Sequence, residues 1–239
     1  MKRREVLQRI GNWPWLSSQA RELVMRSWDS VSSGEFARLY RLVRPYTMSS
    51  NARLRGLYRG VQDSFTKQTA GDVVECGTAR GGSAALMGLT LKQIGAKRTL
   101  WVFDTFEGLP PPTLDDPDYE TAKLYIGECR GELEEVTALF KELGILSNSR
   151  LVKGRFQETL PGCPIEKISM LHIDGDWYES VRTCLDHLYE RVSPGGIIQI
   201  DDYGHWAGAR KAVDEFLLER AVEVKMSKLD YTGRQFVKP

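Results

Sequence analysis

From Asp72 onward, short apolar runs alternate with amphipathic segments. The apolar runs have the length of strands and are Val73–Cys76, Leu100–Phe103, Leu151–Lys153, Ile168–Ile173 and Ile197–Ile200. Most are separated by segments in which apolar residues recur at helical spacing, namely Ala84–Ile94, Leu133–Leu143 and Val181–Val192. This alternation is typical of an α/β fold in which helices cover both faces of a doubly wound, mostly parallel sheet.

The C-terminal part of the chain extends this sheet. Its pattern predicts a helix over Ala209–Leu218 and then two strands, Val222–Met226 and Arg234–Val237, at the sheet edge in antiparallel orientation. Together with the five apolar runs, these two strands make a seven-stranded sheet.

The N-terminal part of the chain is polar and helical in pattern. We predict an N-terminal helical extension over residues 1–66, which includes a helical segment from Ala52 to Phe65, and a sheet domain over residues 67–239. The extension carries several aromatic residues, which are Trp13, Trp15, Trp28, Phe36 and Tyr40. Core packing is the simplest role for them, although they could also cover a substrate pocket or form a homodimer contact.

One long connection interrupts the alternation of strands and helices. Residues 105–131 contain four prolines and little apolar periodicity. Connections longer than about 15 residues are usually functional or disordered. We therefore predict a lid over a binding site, the alternative being an ordinary surface loop.

Composition and charge narrow the function classes. Of the 239 residues, 33 are Lys or Arg and 32 are Asp or Glu, so the net charge is +1 and lacks the basic excess of a nucleic-acid-binding protein. No apolar run approaches the roughly 18 residues of a membrane span, and the N-terminus lacks the apolar stretch of a secretory signal. The four cysteines form no C-x-x-C pair. We expect a cytoplasmic protein that acts on a small molecule, without a nucleic-acid or membrane partner.

Acidic residues follow four of the apolar runs, at the strand ends beyond which open parallel sheets bind their ligands. Six carboxylates are expected at this edge: Glu75, Asp104, Asp174, Asp176, Asp201 and Asp202. Carboxylates this close together repel one another and stay ionised only beside cations or hydrogen-bond donors. The pattern therefore predicts a bound metal ion, a cationic ligand or both.

Four of these acids, Asp174, Asp176, Asp201 and Asp202, are candidates for metal binding or proton transfer. Oxygen ligands favour a hard cation such as Mg²⁺, and Asp174, Asp201 and Asp202 are the candidate ligands. The alternative assigns Asp202 to a turn and Asp174 to a solvated loop. Asp176 is a candidate general base beside them, but Asp176 to Glu179 also fits a helix capping box.

A glycine-rich turn, Gly77-Thr-Ala-Arg-Gly-Gly-Ser83, leads from the first strand into a helix. Such a turn lets a ligand approach the backbone closely, and the helix start offers free N–H groups. Asp104 follows the second strand, where an acid can accept both hydrogens of a ribose diol. These features favour an adenosine nucleoside without separating dinucleotides from S-adenosylmethionine.

The histidines and Cys76 have simpler interpretations. His172 lies within an apolar strand and is expected to be buried, hydrogen-bonded and neutral, whereas His187 fits a surface or packing role. His205 lies near the expected ligand edge and could contact substrate or act as an alternative base. Cys76 fits a small core residue better than a nucleophile.

Together these motifs resemble those of the macrocin, mycinamicin and novobiocin type of sugar O-methyltransferases. The resemblance covers about residue 45 to the C-terminus. The matching segments occur in the same order and are Tyr46–Met48, Glu75–Ser83, Asp104–Pro112, Asp174–Ser180, Pro194–Gly204 and Asp230–Gly233.

The resemblance implies the Rossmann-like fold of class I methyltransferases and Mg²⁺-dependent methyl transfer from S-adenosylmethionine. The implied acceptor is a sugar hydroxyl on a glycosylated natural product or a nucleotide sugar. It also implies that Asp174, Asp201 and Asp202 bind Mg²⁺ and that Asp176 is the general base. The implied cofactor contacts are Thr47, Met48, Glu75, Gly77, Ser83, Asp104, Gly154, Phe156 and Asp174. Trp177 is larger than expected after the Asp-Gly-Asp motif, so the acceptor pocket should differ in shape.

Three alternatives remain at the level of the sequence. A catechol-type Mg²⁺-dependent O-methyltransferase would use the same ion with a planar phenolic acceptor. An NAD-dependent dehydrogenase is disfavoured because G-x-G-x-x-G is missing and because Asp201 and Asp202 form a second acid pair. A binding protein without catalysis is the third alternative.

Overall fold

The computed structural model describes residues 34–239. The chain divides into two units between Leu42 and Val43. Of the first unit, the described residues form most of helix α1 (Glu35–Val43). Three aromatic residues of the predicted extension lie outside the described residues, and they are Trp13, Trp15 and Trp28.

The second unit, Val43–Pro239, contains the sheet. Its strands are β1 (Asp72–Cys76), β2 (Leu100–Asp104), β3 (Ser149–Lys153), β4 (Ile168–Ile173), β5 (Val192–Ile200), β6 (Ser227–Lys228) and β7 (Arg234–Val237). Their order across the sheet is β3-β2-β1-β4-β5-β7-β6. Strands β1 to β5 are parallel, and β7 runs antiparallel to both β5 and β6. The predicted seven-stranded, mostly parallel sheet is confirmed.

Helices connect these strands. They are α2 (Asn51–Thr66), α3 (Gly82–Gln93), α4 (Tyr119–Ala122), α5 (Leu133–Glu142), α6 (Phe156–Thr159), α7 (Tyr178–Leu188) and α8 (Ala207–Glu219). None of the helices within residues 34–239 has the length and apolar character needed to cross a membrane.

Helix α2 packs closely on the sheet. It begins after Ser50, whose hydroxyl accepts a hydrogen bond from the Arg53 N–H at 3.2 Å and so caps the helix. A Cβ atom at Gly60 would lie 2.7 Å from Met170 Sδ of β4, so glycine permits the close approach. The domain boundary between residues 66 and 67 stays a prediction.

The central strands are buried on both faces, which explains why they appear in the sequence as continuous apolar runs. All six residues of β4 are buried. Glu75, His172 and Gln199 are buried polar side chains that lie next to one another on neighbouring strands of this core. Because buried polar groups need partners, these side chains mark the part of the sheet nearest the site.

Two sequence predictions at the C-terminal end of the sheet were inaccurate. The predicted strand Val222–Met226 is wrong, since β6 comprises Ser227–Lys228 alone. Val222, Val224 and Met226 alternate because they pack against the core, without pairing in a backbone ladder. Strand β5 begins at Val192, earlier than predicted, because Pro194–Gly196 interrupt the apolar run while the pairing with β4 continues across a register shift.

The long connection over residues 105–131 is anchored to two helix N-termini. Asp116 is only 2% exposed, and its Oδ1 accepts a hydrogen bond from the Tyr178 N–H of α7 at 2.7 Å. Asp118 Oδ2 accepts one from the Ala207 N–H of α8 at 3.1 Å. Acidic side chains at helix starts satisfy free N–H groups and interact favourably with the helix dipole. The connection is therefore held against the two helices that follow β4 and β5.

We expect Asp116→Ala to lower the free energy of unfolding by about 1–3 kcal/mol, because the Thr113 and Tyr178 N–H groups lose a buried carboxylate acceptor. Urea unfolding measures the loss, and limited proteolysis should cut residues 105–131 faster in the variant. Asp115→Ala is the control, since that side chain is 65% exposed and its ion pair with Lys211 should contribute less than about 1 kcal/mol. Equal losses in the two variants would contradict the anchoring role.

Candidate functional site

The carboxyl ends of the parallel strands open into a cavity of about 860 Å³ within the second unit. Its wall combines the glycine-rich turn after β1, the acids that end or follow β2, β4 and β5, and much of the 105–131 connection. The cavity thus lies where parallel sheets bind their ligands. The connection lines the site, and its movement as a lid stays a prediction.

Most of the predicted site residues meet at this cavity. They are Thr47, Met48, Gly77, Ser83, Asp104, Phe156, Asp174, Asp176, Asp201 and Asp202. Glu75 and Gly154 are not among the lining residues. Glu75 is fully buried, with its Oε1 atom 2.8 Å from His172 Nδ1. Gly154 adopts a φ of +145° just after β3.

The glycine-rich turn fits closely against the end of β4. Gly77 has a φ of +88°, and a Cβ atom there would overlap the carbonyl oxygen of Asp174. Asp104 braces the same turn, since its Oδ2 accepts hydrogen bonds from the Thr78 N–H at 2.7 Å and the Ala79 N–H at 3.1 Å. Burial raises the pKa of Asp104 even though these N–H groups favour the ionised form. Its Oδ1 accepts a hydrogen bond from the Phe106 N–H at 2.7 Å and lies 3.5 Å from the Thr105 hydroxyl, so Oδ1 is the oxygen with room for a ligand hydroxyl.

Three carboxylates lie together beyond β4 and β5. Single oxygens of Asp174, Asp176 and Asp202 lie within 4.8 Å of one another, and Asp174 meets the same limit with Asp201 and His172. Desolvation and neighbouring carboxylates raise the pKa of Asp174 and Asp176 well above the ordinary value and that of Asp202 to about 6. The Asp202 Oδ2 atom is buried without a hydrogen-bond partner. This cluster is therefore short of positive charge.

The negative charge of Asp201 is balanced by nearby cations, unlike the charges of Asp174, Asp176 and Asp202. Its Oδ2 pairs with Arg53 Nη1 and accepts a hydrogen bond from Ser49 Oγ at 3.4 Å, and its Oδ1 lies 3.3 Å from His172 Nε2. Burial opposes ionisation of Asp201, but Arg53 and His172 outweigh it and lower the pKa to about 2.

His172 lies between two carboxylates that favour its protonated form. Burial favours its neutral form, but Asp201 and Glu75 raise its pKa to about 9. The predicted burial and hydrogen bonding of His172 are confirmed. The predicted neutral ring is wrong, because two carboxylates flank the imidazole.

Asp176 has a strained backbone and an oriented side chain. Its φ of +55° is unusual for a residue other than glycine and costs free energy that the surrounding structure must offset. Its Oδ1 accepts a hydrogen bond from Trp206 Nε1 at 2.9 Å. The capping-box interpretation is wrong, because the N-cap of α7 is Trp177 and Asp116 accepts the hydrogen bond from the Tyr178 N–H.

An aromatic wall stands beside Asp176. The ring of Trp206 meets Trp177, Tyr125 and His205 edge-on, with centroid distances of 4.9, 5.3 and 4.9 Å. Trp177 is held to the connection because its Nε1 donates to the Pro110 carbonyl at 2.7 Å. Trp177 and Trp206 are themselves buried, so Tyr125, which is 42% exposed and lines the cavity, is the ring of this group that offers apolar area to the C–H face of a sugar or to a planar ring.

Sequence reasoning missed several lining residues, which are Ser49, Arg53, Tyr125, Trp206 and Tyr231. Trp206 could have been found, because it follows the Asp201–Asp202 pair on the same edge of the sheet. Arg53 carries no such signal, since it lies in a helix 148 positions before the aspartate with which it pairs.

Comparisons with known proteins agree on one family. The family model for macrocin O-methyltransferase (TylF) matches residues 38–238. The chain is 34% identical over 217 residues to the 8-demethyl-8-(2,3-dimethoxy-alpha-L-rhamnosyl)-tetracenomycin-C 4'-O-methyltransferase of Streptomyces olivaceus, covering 88% of this chain and 77% of that protein. It is 33% identical over 194 residues to the demethyldecarbamoylnovobiocin O-methyltransferase of Streptomyces niveus, covering 79% and 74%. The solved structure of the O-methyltransferase NovP matches with a TM-score of 0.75 and 32% identity, covering 81% of this chain and 82% of that one.

We expect Gly77→Ala to lower the melting temperature more than Gly95→Ala does. Both glycines have a positive φ, where an L-residue costs about 1–2 kcal/mol. Only at Gly77 would the new methyl group also overlap Asp174, since nothing lies within 4 Å of a Cβ atom at Gly95. Thermal unfolding compares the two variants. Equal decreases in melting temperature would show that the close contact between the glycine-rich turn and the end of β4 does not require glycine at position 77.

Proposed function

The chain belongs to the macrocin O-methyltransferase family, and we propose that it transfers the methyl group of S-adenosylmethionine to a sugar hydroxyl with the help of a bound Mg²⁺ ion. The acceptor is a glycosylated natural product or a nucleotide sugar. The observation that carries this proposal is the charge-deficient cluster of Asp174, Asp176 and Asp202 in a cavity that also contains the glycine-rich turn. We place the reaction in the cytoplasm, where its four free cysteines stay reduced.

The named relatives support the acceptor class. The substrate in the name of the Streptomyces olivaceus relative is a tetracenomycin that carries a rhamnosyl group. A sugar hydroxyl is a weak acid and a poor nucleophile, so its methylation needs both a proton acceptor and compensation of the developing negative charge. The acid cluster offers groups for both tasks.

The cofactor end of the cavity has the chemistry that a nucleoside with an amino-acid tail requires. Asp104 would accept hydrogen bonds from ribose hydroxyls. Thr78 Oγ1, which lines the cavity, is buried without a hydrogen-bond partner and would gain one from the ligand. The other residues proposed to hold the cofactor are Thr47, Met48, Gly77, Ser83, Phe156 and Asp174 at the cavity wall, with Glu75 and Gly154 behind it.

The ion end of the cavity fits Mg²⁺ because its free donors are carboxylate oxygens. Asp174 and Asp202 would hold the ion, and the buried Asp202 Oδ2 would gain a partner there. Asp201 is the third proposed ligand, although it pairs with Arg53 here. A bound Mg²⁺ would supply positive charge that stabilises an alkoxide developing on the acceptor.

Asp176 takes the proton from the acceptor hydroxyl in this proposal. The hydrogen bond from Trp206 Nε1 engages Oδ1 and fixes the plane of the carboxylate, which leaves Oδ2 to receive the proton. Tyr125, which packs edge-on against the buried Trp206, orients the acceptor beside it, and the 105–131 connection acts as a lid that excludes water. General-base catalysis of this kind typically contributes about 10²–10⁴-fold in rate.

Transfer of a radiolabelled methyl group from S-adenosylmethionine tests the proposal. The acceptors are a rhamnosylated aglycone, a nucleotide-linked rhamnose and a catechol, each assayed with Mg²⁺ and with excess chelator. We expect transfer to a sugar acceptor, loss of transfer in chelator and recovery when Mg²⁺ is restored. Methylation of catechol alone would show that the acceptor is a phenol and not a sugar. Full activity in chelator would show that the reaction does not need the ion.

Asp176→Asn should lower kcat by at least about 100-fold, because the amide cannot accept the acceptor proton. The affinity for S-adenosylmethionine, measured by calorimetry, should stay near that of the wild type. Asp186→Asn is the matched control, since Asp186 pairs with Arg182 on the α7 surface and should retain wild-type turnover. Wild-type turnover in Asp176→Asn would refute the assigned base.

A further inference from the structure

Arg53 of α2 is held between two carboxylates at the edge of the acid cluster. Its Nη1 pairs with Asp201 Oδ2, and its Nε lies 3.2 Å from Asp230 Oδ2. The Arg53 side chain is only 16% exposed. Asp230 is fixed in turn by the Ser50 hydroxyl, which donates to its Oδ2 at 2.5 Å. Arg53 is therefore a largely buried cation with an anchor on Asp230, outside the acid cluster.

Arg53 contacts Asp201, which is one of the proposed ligands of the ion. One Asp201 oxygen is engaged by Arg53 and the other by His172. Asp202, the next residue, instead has a buried oxygen without any partner. A guanidinium and a divalent ion repel each other at such short range and compete for the same carboxylate lone pairs.

We propose that Arg53 is the protein's own counter-ion for this cluster and that it competes with the divalent ion for Asp201. Binding of an ion would break the ion pair between Arg53 Nη1 and Asp201, and the ion pair between Arg53 and Asp230 would remain. The inference rests on the ion site proposed above. It makes Arg53 a positioning residue that sets the affinity of the site for the ion.

Both the stability of the fold and the exchange of the ion favour a protein cation such as Arg53 beside the acid cluster. Buried carboxylates without compensation are strongly destabilising, so a chain that folds before it binds an ion needs positive charge at this edge of the sheet. Arg53 supplies that charge to one acid and leaves Asp174 and Asp202 open. The ion then has to displace one ion pair, which weakens its binding and keeps it exchangeable.

Binding of Mn²⁺, followed by electron paramagnetic resonance, tests this inference without any acceptor. We expect Arg53→Met to bind Mn²⁺ about tenfold or more tightly than the wild type, because a competing positive charge a few ångströms away is removed. Arg53→Lys keeps the charge but lacks the planar fork, so its affinity should fall between the two. Arg182→Met is the control, since Arg182 pairs with Asp186 and Glu219 away from the cluster, and its Mn²⁺ affinity should equal that of the wild type.

Thermal unfolding gives an independent readout on the same proteins. In chelator, Arg53→Met should melt below the wild type, because Asp201 loses its counter-ion. Saturating Mn²⁺ should narrow that gap, whereas a purely structural arginine would leave it unchanged. If Arg53→Met does not fold in chelator, Arg53→Lys still provides the affinity comparison.

The outcomes separate this inference from the proposed function. Mn²⁺ binding to the wild type with equal or weaker binding to both Arg53 variants would overturn the competition and leave the ion site standing. Absence of Mn²⁺ binding in every protein would overturn the competition and the proposed ion dependence together. The methyl-transfer assay would then still report whether the enzyme methylates sugars.

Discussion

Repulsion among carboxylates at one edge of a parallel sheet is the constraint on which the site depends. The parallel pairing of β1, β4 and β5 brings their carboxyl ends to the same edge, so the acids that follow them must lie close together. The protein compensates only part of this charge. Arg53 and His172 neutralise Asp201, whereas Asp174 and Asp202 remain in need of a cation. The ion site that we propose in the cavity rests on that imbalance.

The same constraint explains the polar residues within the sheet. Glu75, His172 and Gln199 are side by side in β1, β4 and β5, where apolar residues would otherwise be expected. His172 bridges Glu75 and Asp201, so a buried chain of three side chains connects β1 to the acid cluster.

The sequence predicted those features that depend on local periodicity. The strand over Ile168–Ile173 was placed correctly, and the acids at strand ends were located because strand ends are visible in the pattern. The segment Val222–Met226 failed because alternating burial does not require a backbone ladder. The contacts of Arg53 and Asp116 join residues 148 and 62 positions apart, and no spacing rule reports such distances in the chain. The charge of His172 depends on the same kind of long-range contact.

The anchoring of the long connection has a consequence for divergence among related enzymes. Asp116 and Asp118 fix its middle, while the stretch that follows exposes Leu124, Tyr125 and Ile126, which are 77%, 42% and 48% exposed. Of these three residues Tyr125 lines the cavity and packs against Trp206, so a substitution there changes the cavity wall without removing the contacts at either helix start. In the enzyme that we propose, acceptor preference can therefore diverge at this wall while the glycine-rich turn after β1 stays unchanged.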